Sequence, residues 1–113
     1  MKEEKTKLLT PEVYKIEVFK TIQEITNLLR KKHTIKILQY LNYDPMRYTD
    51  IKNLLRSDDN TLSRRLRDLG NFNLIKKLGV FKGKQKISEY TLTEKGQELI
   101  NFFRNFERNK GGK

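Results

Sequence analysis

The chain lacks cysteine and tryptophan, has a single histidine and two prolines, and contains no apolar run near the ~18 residues that a membrane span requires. Without cysteine there is no disulfide, no thiolate nucleophile and no cysteine-ligated zinc. His33 has no second histidine with which to share a metal, and the acidic residues are scattered. No metal and no cofactor are therefore expected. No Ser/His/Asp set, glycine-rich phosphate loop or close carboxylate pair is present, because Asp58-Asp59 sits where a helix cap belongs. An enzyme is not expected. The opening "MKEEKTKLLTPE" carries glutamates and no apolar h-region, so no secretory signal is expected. The expected location is cytoplasmic, in association with the nucleoid.

What is present is positive charge. The 113 residues carry a net charge of +11, which favours an acidic partner, either nucleic acid or an anionic membrane. Its distribution is uneven. Residues 60–86 hold eight basic side chains (Arg64, Arg65, Arg67, Lys76, Lys77, Lys82, Lys84, Lys86) against Asp68 alone. Residues 1–30 instead mix six basic with five acidic residues. Mixed signs serve solubility, whereas a block of one sign is the footprint of a polyanion site.

Apolar spacing supplies the architecture. Thr10-Pro11-Glu12 reads as a helix start, with a hydroxyl cap, proline at the first position and an acid favoured by the helix dipole. Tyr14, Val18, Ile22, Ile25 and Leu29 then form one stripe, on a helix about 30 Å long at ~1.5 Å per residue. After a break at Lys31-Lys32-His33, "TIKILQYL" predicts a second helix with Ile35, Leu38 and Leu41 inward, ended by "NYDP". Thr49-Asp50 is expected to cap "DIKNLL", with Ile51, Leu54 and Leu55 inward. A three-residue connection, Arg56-Ser57-Asp58, leads to a helix over Asp59–Leu69 capped by Asp58 or Asp59. Helix, short turn, helix is the helix-turn-helix arrangement. Asn73 suits a left-handed backbone, and "LIKKLGVF" and "KISEYTL" then read as strands joined by the basic turn "KGKQ". Thr93-Glu94 caps a last helix with Leu99, Phe102, Phe103 and Phe106 on one face.

The expected fold is mostly α with a β-hairpin wing, a winged helix-turn-helix with an added long N-terminal helix and a C-terminal helix. The expected layout is a flexible N-terminus at 1–9, one domain at 10–108 that includes the dimerisation helices, and a disordered tail at 109–113.

The faces of the arginine helix follow from its period. With Leu62 at 0° and about 100° per residue, Leu66 and Leu69 share its side, while Asn60, Ser63, Arg64 and Arg67 lie roughly 100° or more away. Arg65 flanks the core, so its stem should pack and its head should find an acid. Arginine, asparagine and serine are side chains that read base edges, and the helix N-terminus offers free N–H groups to a phosphate. A basic face on one helix is commonly only solvated. Here the hairpin carries Lys82, Lys84 and Lys86 beside the same helix, and two elements of one sign favour nucleic acid.

The segments "KKHTIKILQYL", "RYTDIKNLL", "NTLSRRLRDL" and "EYTLTEKGQEL" together resemble the winged helix-turn-helix transcriptional regulators of the HxlR, PadR and MarR kind, HxlR most closely, over about residues 31–107. The resemblance implies a homodimer that binds double-stranded DNA. It turns Asn60, Thr61, Ser63, Arg64 and Arg67 toward the major groove and the Lys82, Lys84 and Lys86 wing toward the backbone. Three features depart from the usual pattern: His33 stands where tryptophan is common, Asn73 where glycine is usual, and the sensing cysteine of many members is absent.

The first helix is amphipathic, but its polar face mixes Glu12, Glu17 and Glu24 with Lys15 and Lys20. It lacks the basic excess of a membrane-surface helix. Pairing between copies through Tyr14, Val18, Ile22, Ile25, Leu29, Leu99, Phe103 and Phe106 is expected instead, with packing inside the monomer as the alternative. The function expected is that of a DNA-binding regulator, a repressor. An architectural DNA-binding protein and a protein-interaction module are the alternatives. The sequence specifies no operator and no effector.

Overall fold

The computed structural model describes residues 20–111, with side chains through residue 109. The chain divides into two compact units, residues 1–31 and 32–113. The expected helix start at Thr10-Pro11-Glu12, the stripe residues Tyr14 and Val18 and the flexible segment 1–9 lie outside the described residues.

Within the first unit, α1 spans Lys20–Arg30. Leu28 is buried, Ile25 and Leu29 are half-buried, and Ile22 is exposed. Arg30 donates to the side chain of Asn27 one turn earlier at 2.9 Å.

In the second unit His33 takes a left-handed backbone (φ 75°) immediately before α2, Thr34–Tyr43. Thr34, Ile37, Leu38 and Leu41 are its buried residues, the i, i+3, i+4, i+7 positions of one helical face. Ile35, expected inward, is 54% exposed, and Ile37 takes the inward place. Isoleucines alternate with Lys36 here, so composition alone allows either face. The helix ends before Asp44, whose backbone is extended, as Pro45 requires.

Helix α3 spans Tyr48–Leu55 and is preceded by Arg47 as its N-cap, without a side-chain cap. The expected cap at Thr49-Asp50 therefore lies inside the first turn, past the observed cap at Arg47. Ile51 and Leu55 are buried, but Leu54 is 53% exposed because an eight-residue helix turns only a narrow stripe inward. Arg56 closes α3 in the left-handed region at φ 55°.

Helix α4, Asp59–Asn71, buries Leu62, Leu66 and Leu69 as the period predicts. It continues two residues past Leu69, its predicted end. Asn73 then turns the chain at φ 61°, and Leu74 N–H donates to the Leu69 carbonyl at 3.0 Å. This left-handed exit aims Leu74 and Ile75 back into the core, where both are buried.

Strands β1 (Ile75–Lys82) and β2 (Gln85–Leu92) form an antiparallel hairpin in register from Ile75↔Leu92 to Lys82↔Gln85. Gly83-Lys84 is its two-residue turn, with positive φ at Gly83 alone among the two, the type II′ pattern that matches strand twist. Met46 adds one bridge beside Tyr90, with N–H···O distances of 3.0 and 2.7 Å. That bridge fastens the α2–α3 connection to the wing.

Helix α5 spans Glu94–Gly111. Thr93 caps it, accepting from Gly96 N–H at 3.0 Å while its own hydroxyl donates to the Asn73 carbonyl at 2.6 Å. A Cβ at Gly96 would collide with the Leu74 carbonyl, so only glycine permits this approach of α5 to the start of the wing. The helix runs past residue 108, through the first three residues of the expected disordered tail. Asn-Arg pairs one turn apart, Asn101–Arg104 and Asn105–Arg108, hydrogen-bond along its surface.

Candidate nucleic-acid interface

The N-terminus of α4 is the best-defined local structure on the basic side. Asp58 is its cap, accepting from Thr61 N–H at 2.7 Å. The backbone and side-chain hydrogen bonds of Thr61 hold the Asp58 carboxyl below the ordinary aspartate range. Beyond the cap, Asn60, Ser63, Arg64 and Arg67 are exposed, and Thr61 is half-buried. Arg65 is different. It is 9% exposed, and its Nη1 lies 2.8 Å from Asp68 Oδ2, so its charge is spent inside the fold as the helical period foretold.

Other charges of the basic block are also engaged. Lys77 Nζ sits 5.7 Å from the centre of the Tyr90 ring, a cation–π distance. Lys82 Nζ lies 3.9 Å from Glu89 Oε2. Lys84 and Lys86 are exposed at and beside the turn. A Cβ at Gly79 would come within 2.6 Å of Lys86 Cε, so the Lys86 stem runs across the bare face of Gly79. Phe81, directly opposite Lys86, is 71% exposed. The charge pattern that marks the lysines of the wing tip does not mark this aromatic. Its alternation with Gly79 on one strand face was the available signal.

Two clefts join the helix-turn-helix to the wing. Tyr48, Ser63, Leu66, Arg67 and Tyr90 line one of about 260 Å³, which brings two predicted α4 residues against β2. Arg47, Tyr48, Thr49 and residues 85–88 line another of about 300 Å³, which brings Lys86 to the N-terminus of α3. Tyr48 borders both.

Tyr48 also carries a contact that no sequence pattern indicated. Its hydroxyl donates to Asp59 Oδ1 at 2.8 Å and lies 3.3 Å from Ser63 Oγ. Lys52 Nζ reaches the same Asp59 oxygen at 3.0 Å. The Tyr48 and Lys52 hydrogen bonds hold the Asp59 carboxyl below its ordinary range. The sequence carries only the i, i+4 spacing of Tyr48 and Lys52. Their meeting with Asp59 depends on the angle between α3 and α4.

His33 is half-buried. Burial first, then Lys32, Lys36 and Arg65, push its imidazole below the ordinary histidine value, and Asp58 opposes them. Among the described residues no group of three metal-ligating side chains occurs, and no helix is long and apolar enough to cross a membrane.

The HxlR-like helix-turn-helix family model matches residues 28–109, from the end of α1 to the last turns of α5. This chain belongs to the HxlR-like helix-turn-helix family. The family and the fold are those of transcriptional regulators. Among solved structures, the reduced form of the transcriptional regulator YodB from B. subtilis superposes with a TM-score of 0.68 at 25% identity, over 77% of this chain and 85% of that one. The transcriptional repressor BigR from Xylella fastidiosa shares the fold at a TM-score of 0.65 and 17% identity, over 86% of this chain and 92% of that one. MepR from S. aureus, in its complex with DNA, shares it at 0.55 and 19% identity, over 88% and 89%. No curated protein matches the chain by sequence. In this HxlR-like chain the α3–α4 pair is the helix-turn-helix, and the β1–β2 hairpin is the wing.

Proposed function

We propose that this HxlR-like regulator binds duplex DNA as a homodimer and represses transcription. In this reading α4 enters the major groove and the wing lies along the backbone. The observation that carries it is the pairing of two exposed cationic elements. Asn60, Ser63, Arg64 and Arg67 project from α4, and Lys84 and Lys86 from the hairpin, with Ser63, Arg67 and Tyr90 lining one cleft between them. Arginine and asparagine supply bidentate contacts to guanine and adenine edges, whereas lysines on a wing act as point charges toward phosphate. Thr61 and Lys82 belong to the same surface, at its margins. The MepR–DNA complex is a precedent within the fold for duplex binding.

The dimer rests on exposed apolar surface. Ile22 on α1 is 52% exposed, and on α5 Phe103 is 48% and Phe106 63% exposed. Ile25, Leu29 and Leu99, each half-buried, border the same stripes. Apolar exposure of this extent marks an interaction surface. Two-fold pairing sets two recognition helices about 34–36 Å apart, one turn of the duplex or a multiple of it, on an inverted repeat.

Selection of bound sequences from a random duplex pool tests the reading. An enriched inverted repeat supports a sequence-specific dimeric regulator. Retention without enrichment indicates an architectural protein with little selectivity. No retention indicates a module that binds protein instead.

A further inference from the structure

Asp59 is an acid in the first turn of the helix that carries Arg64, Arg65 and Arg67. Its side chain is 66% exposed, and it stands at the end of α4 that a helix-turn-helix presents to base edges. An isolated carboxylate there would repel the phosphates that the neighbouring arginines attract. This one is neutralised in place. Lys52 Nζ at 3.0 Å and Tyr48 Oη at 2.8 Å both land on Oδ1, and Oδ2 is left without a donor among the described residues. The carboxylate is thus fixed from one side by α3 and open as an acceptor on the other.

Three features distinguish this from ordinary first-turn chemistry. The cap is already supplied by Asp58 through Thr61 N–H, so α4 does not need Asp59 for that purpose. Two donors from a different helix fix its rotamer, whereas attraction to the helix dipole requires no partner. Asp59, Ser63 and Arg67 also fall at i, i+4 and i+8, one ridge of α4, and the Tyr48 hydroxyl touches the first two of them.

We propose that Asp59 is a specificity residue whose free oxygen accepts a hydrogen bond from the exocyclic amino group of a cytosine in the major groove. Tyr48 and Lys52 act as positioning residues that hold it there. A carboxylate pairs with the cytosine N4 amino group and is repelled by the O6 and N7 acceptors of guanine. Helix α4 therefore reads a donor through Asp59 while Arg64 and Arg67 read acceptors, so each side chain rejects what the other accepts. This inference rests on the proposed placement of α4 in the major groove.

The test repeats the duplex-pool selection with Asp59→Asn and, separately, Tyr48→Phe. Asp59→Asn keeps the size and an oxygen for Tyr48 but turns an acceptor into a donor. At one position of each half-site, the preference for cytosine should fall by about tenfold or more, equal to ~1.4 kcal/mol, and move toward an acceptor base. Tyr48→Phe keeps the ring in its clefts and frees Asp59, so the same position should lose its preference without gaining a new one. Both variants should remain folded at the temperature of the selection, as thermal unfolding checks. If the unmodified chain selects a motif and both variants select it unchanged, Asp59 reads no base and the inference is overturned. A uniform loss of affinity at all positions also overturns it, because that is what a purely structural bridge between α3 and α4 gives. If the unmodified chain selects nothing, the placement of α4 itself fails, a result distinct from the other two.

Discussion

Helices α4 and α5 both carry a stripe of large apolar side chains, yet α4 buries its stripe and α5 leaves most of its own open. Leu62 and Leu69 are fully buried and Leu66 is 5% exposed, whereas Phe102 and Phe106 are 61% and 63% exposed. Helix α4 is enclosed by the rest of its unit. Helix α5 is held at its first turns, where Gly96 meets the Leu74 carbonyl and Gln97 donates to Asn42 at 3.2 Å. Beyond Leu99 its phenylalanines pack mainly on one another, with ring centres 5.5 and 6.5 Å apart. An amphipathic period states which face is apolar. Whether that face is covered within the monomer depends on how much chain lies beside it.

The largest effect should come from the open stripe. Ile22→Glu with Phe103→Glu should yield a monomer and reduce affinity for a full inverted repeat by about 10²–10⁴-fold, the usual worth of coupled half-sites. Folding should survive, because both side chains are about half exposed. Sedimentation equilibrium on the unmodified chain decides the matter directly, and a monomer at micromolar concentration would remove the dimer from the reading. The covered stripe should respond in the opposite way. Leu62→Ala should cost about 2–5 kcal/mol in denaturant unfolding, as truncation of a fully buried leucine does. Phe106→Ala should cost well under 1 kcal/mol in the monomeric variant, because its side chain is already largely in water.

Within α4, the outward face should matter to binding and not to folding. Arg64→Ala should lose about 1–3 kcal/mol on the selected site and relax one base pair, with an unchanged unfolding midpoint. Arg65→Ala should destabilise the fold through the lost Asp68 pair, which inverts the pattern of its neighbour. On the wing, replacing Lys82, Lys84 and Lys86 by alanine should weaken binding to every duplex alike. The slope of log affinity against log salt should become shallower by roughly 0.9 per phosphate contact removed.

The smallest expected effect is at the cap of α4. Its hydrogen bonds hold the Asp58 carboxyl below its ordinary range. Its contribution is therefore present above the unfolded value of about 3.9 and is lost as pH falls through the lower folded value. Asp58→Asn retains a capping oxygen and removes the titration. The fall in unfolding temperature below about pH 4 should be correspondingly shallower in this variant, with little change at neutral pH.

Sequence alone determined whatever depends on near neighbours in the chain. Leu62, Leu66 and Leu69 share a face because of the helical period. Arg65 on the flank meets Asp68 one turn on. An acid at Asp58 or Asp59 caps α4 and Thr93 caps α5, Asn73 takes the left-handed turn, and Gly83 sets the hairpin. Charge order along the chain located the basic block, and the family motifs marked the helix-turn-helix. Tertiary structure decided the rest, because those outcomes depend on distances between elements. Ile37 rather than Ile35 faces inward, and Leu54 faces out, according to where the neighbouring helices lie. The glycine at position 96 is required by a carbonyl 22 residues earlier. Tyr48 and Lys52 find Asp59 only because α3 and α4 cross at the angle they do. A hydrogen bond between residues 11 apart, on two different helices, leaves no trace in hydrophobic periodicity.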